Sequence, residues 1–195
     1  MLIGNQMIHF TSDIHFGHKN VIQHSNRPFN SLDHMNETLI QNWNRVVKPN
    51  DTCYSLGDFA FCKIGDTEKI LNQLNGTKIL LLGNHCKEIK KNVNRILTNV
   101  PSVKSISSYE ELKHQDEFIV MFHYGCRVWN KSHYGSWLLY GHSHSTLPPF
   151  GKSVDVGVDS TWVTGVAEYR PFSFDEIKAF MNSRDVVYGD GHKDR

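Results

Sequence analysis

The sequence predicts an α/β protein with two strand-rich halves and helices that cover them. In the N-terminal half, short apolar runs typical of strands alternate with helical patterns. Beyond about residue 100 the chain becomes rich in strand-forming residues, and several of the runs end in a turn that carries aspartate or histidine. At 195 residues the chain has the size of one domain, so we expect a single domain over residues 1–195.

The N-terminal half contains the strongest helical pattern. Residues 7–10 predict a first strand and residues 17–24 a short helix. Ser31 is placed to cap the next helix, and Pro49 ends its pattern. The apolar stripe of that helix, spaced by three and four residues, consists of Leu32, Met35, Leu39, Trp43 and Val46. Such a helix should cover one face of a sheet.

The remaining elements alternate in the same way. A second strand is predicted at 52–56 and a helical stripe around 70–74. A strand at 78–82 is apolar enough to be covered on both faces, and a helix follows around 89–97. The strand-rich half comprises a hairpin of 107–112 with 117–122, strands at 137–140 and 153–159, and a final helix that runs through 181 from a capping box of Ser173 and Glu176. The polar tail from about residue 189 is predicted to be mobile.

Composition excludes some classes of function. The chain has 21 basic and 20 acidic residues and a net charge of +1, so it lacks the charge of a general nucleic-acid binder. No apolar run is long enough for a membrane span, and no signal peptide is evident, so we expect a cytoplasmic protein with no membrane partner. The four cysteines show no C-x-x-C spacing and are expected to be reduced.

Five short stretches that carry aspartate, asparagine and histidine occur in a fixed order along the chain. Side chains of these types suit borderline divalent ions such as Mn, Fe, Ni and Zn. Each stretch ends a predicted strand, so its ligands can be held rigidly. The stretches are Asp13-Ile14-His15, Gly57-Asp58, Gly83-Asn84-His85, His123, and Gly141-His142-Ser143-His144.

The order and types of these residues resemble the calcineurin-like metallophosphoesterase superfamily, whose five blocks are D-x-H, G-D, G-N-H, a lone H and G-H-x-H. The resemblance extends from Phe10 to about Val158. The stretch 13–20, together with Arg27-Pro28-Phe29, is similar to the small bacterial and phage members. The resemblance to the superfamily implies a four-layer α-β-β-α sandwich of two mixed sheets flanked by helices.

The resemblance also implies two divalent ions per chain, for which Mn²⁺ is best suited and Fe, Ni or Zn are possible. It assigns one ion to Asp13, His15, Asp58 and His144, and the other to Asp58, Asn84, His123 and His142. Asp58 is then the bridge, because a carboxylate has two oxygens to share. Two such ions would acidify a bridging water into the hydroxide that attacks a phosphate ester.

Other residues are assigned to the substrate. By resemblance, His85 contacts phosphate and protonates the leaving group. Asn84, His18 and Arg27 are candidates for binding substrate. For His18 a hydrogen bond at a helix start is an equally good interpretation, and for Arg27 a plain surface ion pair is at least as good.

Two residues depart from the family pattern. Where the family often has a second aspartate to orient the catalytic histidine, this chain has Phe61, which cannot accept a hydrogen bond from His85. The leaving group should therefore be protonated weakly, which favours aryl over alkyl esters. Cys86 stands where an acidic residue is common, and an inert small residue is the preferred interpretation.

The predicted function is a metal-dependent phosphoesterase that cleaves phosphomono- or phosphodiester bonds of a small substrate, such as a nucleotide or cyclic nucleotide. A phosphoprotein phosphatase is a nearby alternative, disfavoured because the chain has no room for large docking insertions. A scaffold that keeps the fold without chemistry is a second alternative, disfavoured by the presence of His85 and of every ligand type. The sequence does not predict an oligomeric state.

Overall fold

Two mixed β-sheets form the centre of the computed structural model, which describes residues 6–188. The predicted mobile tail lies outside the described residues. The strands are β1 (Ile8–Thr11), β2 (Thr52–Ser55), β3 (Thr77–Leu81), β4 (Val103–Ser107), β5 (Tyr109–His114), β6 (Glu117–Phe122), β7 (Trp137–Tyr140), β8 (Ser153–Asp155) and β9 (Phe172–Ser173).

The first sheet has the order β4-β3-β2-β1-β9, in which only β9 is antiparallel to its neighbour. The second has the order β5-β6-β7-β8, where the β5-β6 hairpin is antiparallel and the other pairs are parallel. The α/β class predicted from the sequence is confirmed. Parallel strands carry their carboxyl ends at one edge of a sheet, so residues that follow them can meet.

In the part of the chain that the structure describes, six α-helices accompany the sheets: α1 (Val21–His24), α2 (Leu32–Val46), α3 (Ile64–Gln73), α4 (Lys87–Lys91), α5 (Val93–Asn99) and α6 (Phe174–Asn182). The predicted caps are confirmed. The Ser31 hydroxyl accepts the His34 backbone N–H, and Ser173 and Glu176 form the reciprocal capping box of α6. Across residues 6–188, no helix has both the length and the apolar character needed to cross a bilayer.

The core consists of layers on either side of the first sheet. Phe10 from this sheet packs with Met121 and Trp137 of the second sheet, so the two sheets lie face to face. Residues of α2 and α3, including Trp43 and Leu71, cover the opposite face. The outer face of the second sheet carries only a small cluster around Val120, Leu138 and Tyr140, which the connection between β6 and β7 covers. The layer outside the second sheet is therefore thin.

Some elements differ from the sequence prediction. The single helix expected at 89–97 is two short helices that meet at Asn92. Strands β4 and β9 were not predicted. The strand expected at 153–159 ends at Asp155, because the Asp155 carboxylate accepts the Gly157 N–H at 2.7 Å and turns the chain. A parallel bridge between Ser12 and Gly157 then joins the two sheets beside the loops that bear the predicted ligands.

Candidate metal centre

The predicted ligands meet in two adjacent groups at the carboxyl ends of the strands. Within each group the donor atoms lie within 4.8 Å of one another. One group is Asp13, His15 and His144, and the other is Asp58, His123 and His142.

Asp58 lies between the two groups. Its Oδ2 atom is 3.8 Å from Nε2 of His15 and 3.5 Å from Nε2 of His123. Asn84 belongs with the second group, since its Oδ1 lies 3.0 Å from Nε2 of His123. The structure therefore brings all seven predicted ligands together, with one carboxylate placed to serve both groups.

The backbone at most of these positions is left-handed. Such angles are uncommon for residues other than glycine, and they cluster at functional sites. The φ values are 54° at Asp13, 57° at His15, 47° at Asp58, 67° at His142 and 45° at His144.

Gly57, at φ 109°, permits the close approach that precedes Asp58. A Cβ atom there would lie 2.3 Å from Nδ1 of His123. The tight turn is therefore open only to glycine.

The buried ion pair of Arg27 with Asp159 orients His144. Its Nδ1 donates to Oδ2 of Asp159 at 2.6 Å, which leaves Nε2 directed toward Asp13, 4.0 Å away. Burial acts to lower the pKa of His144, but the hydrogen bond to Asp159 and the charge of Asp13 outweigh it and raise the pKa. Asp159 in turn accepts two hydrogen bonds from Arg27, at 2.8 and 2.7 Å. This is the arrangement by which proteins fix the tautomer of a metal-binding histidine.

The second group is supported by main chain. The fully buried His123 donates its Nδ1 proton to the carbonyl of Leu56 at 2.9 Å, which leaves Nε2 free to bind a metal. His142 is exposed, and its ring contacts those of His123 and Tyr124. The His142 backbone N–H donates to Oδ2 of Asp13 at 2.8 Å and thereby connects the two groups.

The donor atoms fit divalent cations. Oδ1 of Asp13 and Nε2 of His15 are buried, and no hydrogen-bond partner reaches them. Burial, and next the Asp155 carboxylate, raise the pKa of Asp13 to about 7, whereas burial lowers the pKa of His15 to about 3. Unpartnered buried polar atoms are costly. A cation bound between these two atoms would give both of them a partner. Imidazole and carboxylate together suit a borderline ion.

His85 and His18 lie beside the first group. The His85 backbone N–H donates to Oδ1 of Asp58 at 2.8 Å, and its ring lies 5.5 Å from that of His15. Among the described residues no carboxylate is hydrogen-bonded to the His85 ring, which is instead 5.6 Å from Phe61. Nδ1 of His18 is 3.3 Å from Nδ1 of His15, so His18 does reach the site.

Arg27 lies inside the fold, where it neither faces a substrate nor forms a surface ion pair. Its side chain is fully buried, and the guanidinium is occupied by Asp159 and by the carbonyls of Asp13 and Ile14. Arg27 therefore supports the site from behind. Cys86 is 2% exposed and burial raises its pKa, the environment of an unreactive thiol.

Sequence reasoning missed two supporting carboxylates. Asp159 orients His144, while Asp155 accepts hydrogen bonds from the Ser143 hydroxyl at 2.6 Å and the Ser145 N–H at 3.0 Å, which organises the loop of the fifth block. Both lie in the apolar run 153–159, interpreted as strand. Two aspartates within an otherwise buried run were the available signal, because a buried carboxylate needs a partner.

Comparison with known proteins places the chain in a family. It is 30% identical over 189 residues to the uncharacterized protein MJ1445 of Methanocaldococcus jannaschii, which covers 92% of this chain and 94% of the relative. The chain belongs to the family of that protein. No family model matches the chain.

The solved structures similar to this chain include a protein of unknown function and a phosphodiesterase. The protein of unknown function AQ665 from Aquifex aeolicus has a TM-score of 0.67 and 25% identity, over 90% of this chain and 99% of that one. A novel archaeal phosphodiesterase has a TM-score of 0.49 and 18% identity, over 87% of this chain and 100% of that one. The second similarity is too distant to establish a function for this chain.

Proposed function

We propose that the protein is a calcineurin-like metallophosphoesterase that hydrolyses phosphomono- or phosphodiester bonds of a small substrate, such as a nucleotide or cyclic nucleotide. The observation that carries this proposal is the pair of donor groups with Asp58 between them. A single metal would need only one of these groups. Two groups that share a carboxylate are the arrangement of dinuclear phosphoesterases.

The residues that would hold the ions divide as the sequence suggested. One ion would be held by Asp13, His15 and His144, and the other by Asn84, His123 and His142. Asp58 would bind both ions. Two bound divalent ions, of which Mn²⁺ is best suited, supply charge to neutralise phosphoryl oxygens and an acidified water for in-line displacement.

Other side chains of the protein position the metal ligands and protonate the leaving group. Asp58 is held by the His85 N–H on one oxygen, which leaves the other for the two donor groups. We assign protonation of the departing oxygen to the His85 ring, which is half-buried beside His15. Arg27 and Asp159 hold His144 and the Asp13 loop in place without meeting the substrate.

The strained backbone supports catalysis over a purely structural role. A scaffold without chemistry would have no use for five left-handed ligand positions and for buried donor atoms without partners. Such features persist where the reaction depends on them.

The test combines metal analysis of the purified protein with a screen of phosphomonoesters, cyclic nucleotides, dinucleotides and single-stranded nucleic acid. We expect two divalent ions per chain and hydrolysis of at least one small phosphoester. A chelator should abolish that activity. Mn²⁺ should restore it well and Ca²⁺ poorly, because Ca²⁺ prefers a larger, oxygen-rich shell. Full recovery with Ca²⁺ alone, or metal-independent turnover, would contradict the proposal.

A further inference from the structure

A cavity of about 300 Å³ adjoins the candidate metal centre on the side of His85. His85 belongs to both, because its ring contacts His15 and also lines the cavity. A group that receives a proton from His85 can therefore extend directly into this space. The cavity is lined chiefly by Phe61, Cys62, Lys63, His85, Lys87 and Glu88.

Phe61 provides an aromatic surface in this cavity. It is 50% exposed and belongs to none of the hydrophobic clusters in the described part of the chain. The His18 ring stacks on it, with the ring centres 4.5 Å apart and the planes inclined by 28°, and His85 meets it edge-on. Phe61 is thus fixed in place by the histidines of the site while half of its surface stays open. Core packing does not explain this position.

The charges at the rim are mainly positive. Lys63 and Lys87 are exposed, and within residues 6–188 neither has an ion-pair partner. The carboxylate of Glu88, the one acidic group of the lining, lies 3.7 Å from Nζ of Lys91. An anionic substrate is favoured at such a rim.

We propose that this cavity binds the leaving group of the substrate, and that this group carries a planar aromatic ring, as a phenol or a nucleoside does, stacked on Phe61. The inference rests on the proposed function, since it assigns the His85 side of the site to the leaving group. A cavity of 300 Å³ is at the lower end of ligand pockets and accommodates one ring system. Stacking on an aromatic side chain tolerates any ring with a π-face.

The experiment measures the binding of phenylphosphonate and methylphosphonate to the Mn²⁺-loaded protein by calorimetry. Phosphonates have no leaving group, so the result does not depend on how well His85 protonates one. We expect phenylphosphonate to bind about tenfold more tightly than methylphosphonate, in line with the strength of stacking on one aromatic residue. In Phe61→Leu the preference should fall to about twofold or less. Phe61→Tyr, which keeps the ring, should retain it.

Tyr134→Leu is the matched control, because Tyr134 is an exposed aromatic residue outside the cavity, and its preference should equal that of the wild type. Equal binding of the two phosphonates to the wild type, no binding of either, or a preference that survives in Phe61→Leu would overturn the inference. A preference that depends on Phe61, in a protein that hydrolyses no phosphoester, would support the cavity and remove the proposed function. Hydrolysis of a phosphoester by a protein that binds the two phosphonates equally would support the proposed function and overturn the assignment of the cavity.

Discussion

The two donor groups differ in how they are supported and how open they are. Asp13 and His15 are buried, and the ion pair of Arg27 with Asp159 stands behind His144. Asp58 and His123 of the second group are equally buried, but the carbonyl of Leu56 rather than a charged pair orients His123, and both His142 and Asn84 are exposed.

This difference indicates that the two halves of one site can have separate tasks. A closed group with a charged support holds its ion firmly, while an open group leaves room for water and substrate. We therefore expect the first ion to bind more tightly and to exchange more slowly than the second. Variants that change one group and spare the other test this expectation.

The largest effect should come from Asp58→Asn, which acts on both groups at once. The amide keeps the shape of the side chain but loses the negative charge that both groups share, and its NH2 group cannot accept the hydrogen bond from the His85 N–H or bind a cation. We expect turnover to be abolished and the content of both ions to fall, as measured by elemental analysis of the purified protein. Near-normal activity with two ions per chain would disprove the bridging role.

Asp159→Asn should affect the first group and the stability of the fold. It leaves the buried Arg27 without its counter-charge, and breaking a buried pair in this way costs on the order of 3 kcal/mol. The free energy of unfolding should fall by about that amount in denaturant titrations of the metal-free protein. The affinity for the first ion should fall roughly 10- to 100-fold, because the orientation of His144 is lost. An unchanged free energy of unfolding would show that the Arg27–Asp159 pair does not stabilise the fold.

His142→Ala should affect the second group alone. The residue is exposed, so the free energy of unfolding should change by less than about 0.5 kcal/mol while the second ion is lost. His144→Ala is the matched variant and should deplete the first ion. Calorimetric metal titrations separate the two, and an identical loss in both variants would remove the distinction between the groups.

The smallest effect is a difference in pH dependence. Without metal, Asp13, with a pKa of about 7, and His144, with a raised pKa, both hold protons at pH 6, and an incoming ion must displace them. In the second group the pKa of His123 is raised but that of Asp58 is lowered. Metal binding tightens as pH rises, by about tenfold per unit for each displaced proton. Between pH 6 and 7 the first ion should show the steeper slope, and equal slopes would contradict this.

The parts of the fold that rest on local patterns were predictable from the sequence. The stripe from Leu32 to Val46 and the capping box at Ser173 specify their helices within one segment, and both helices are present. Strand β9 has only two residues and depends on pairing with β1 across the fold, so no local pattern predicts it. The break at Asn92 interrupts one helical pattern; there the backbone leaves helical angles, and the Asn92 side chain donates to the carbonyl of Glu88 at 2.8 Å.

The candidate site divides in the same way. Its ligands are contained in short motifs, so their convergence could be expected from sequence. Their supports could not. Arg27 and Asp159 are 132 positions apart, and nothing in either segment indicates the other. From sequence, Arg27 was a candidate for binding phosphate, with a surface ion pair at least as good an interpretation. The fold instead uses its charge internally, and only three-dimensional packing decides between the two.

The left-handed backbone at five ligand positions has a consequence for how this family can change over evolutionary time. Glycine adopts that conformation freely, whereas aspartate and histidine strain the chain there, at a cost on the order of 1 kcal/mol or more for each position. Asp13, Asp58 and His144 also hold hydrogen bonds within the fold, whereas His142 is exposed. In a related chain that no longer binds metal, position 142 should therefore be the first of the five to change to glycine.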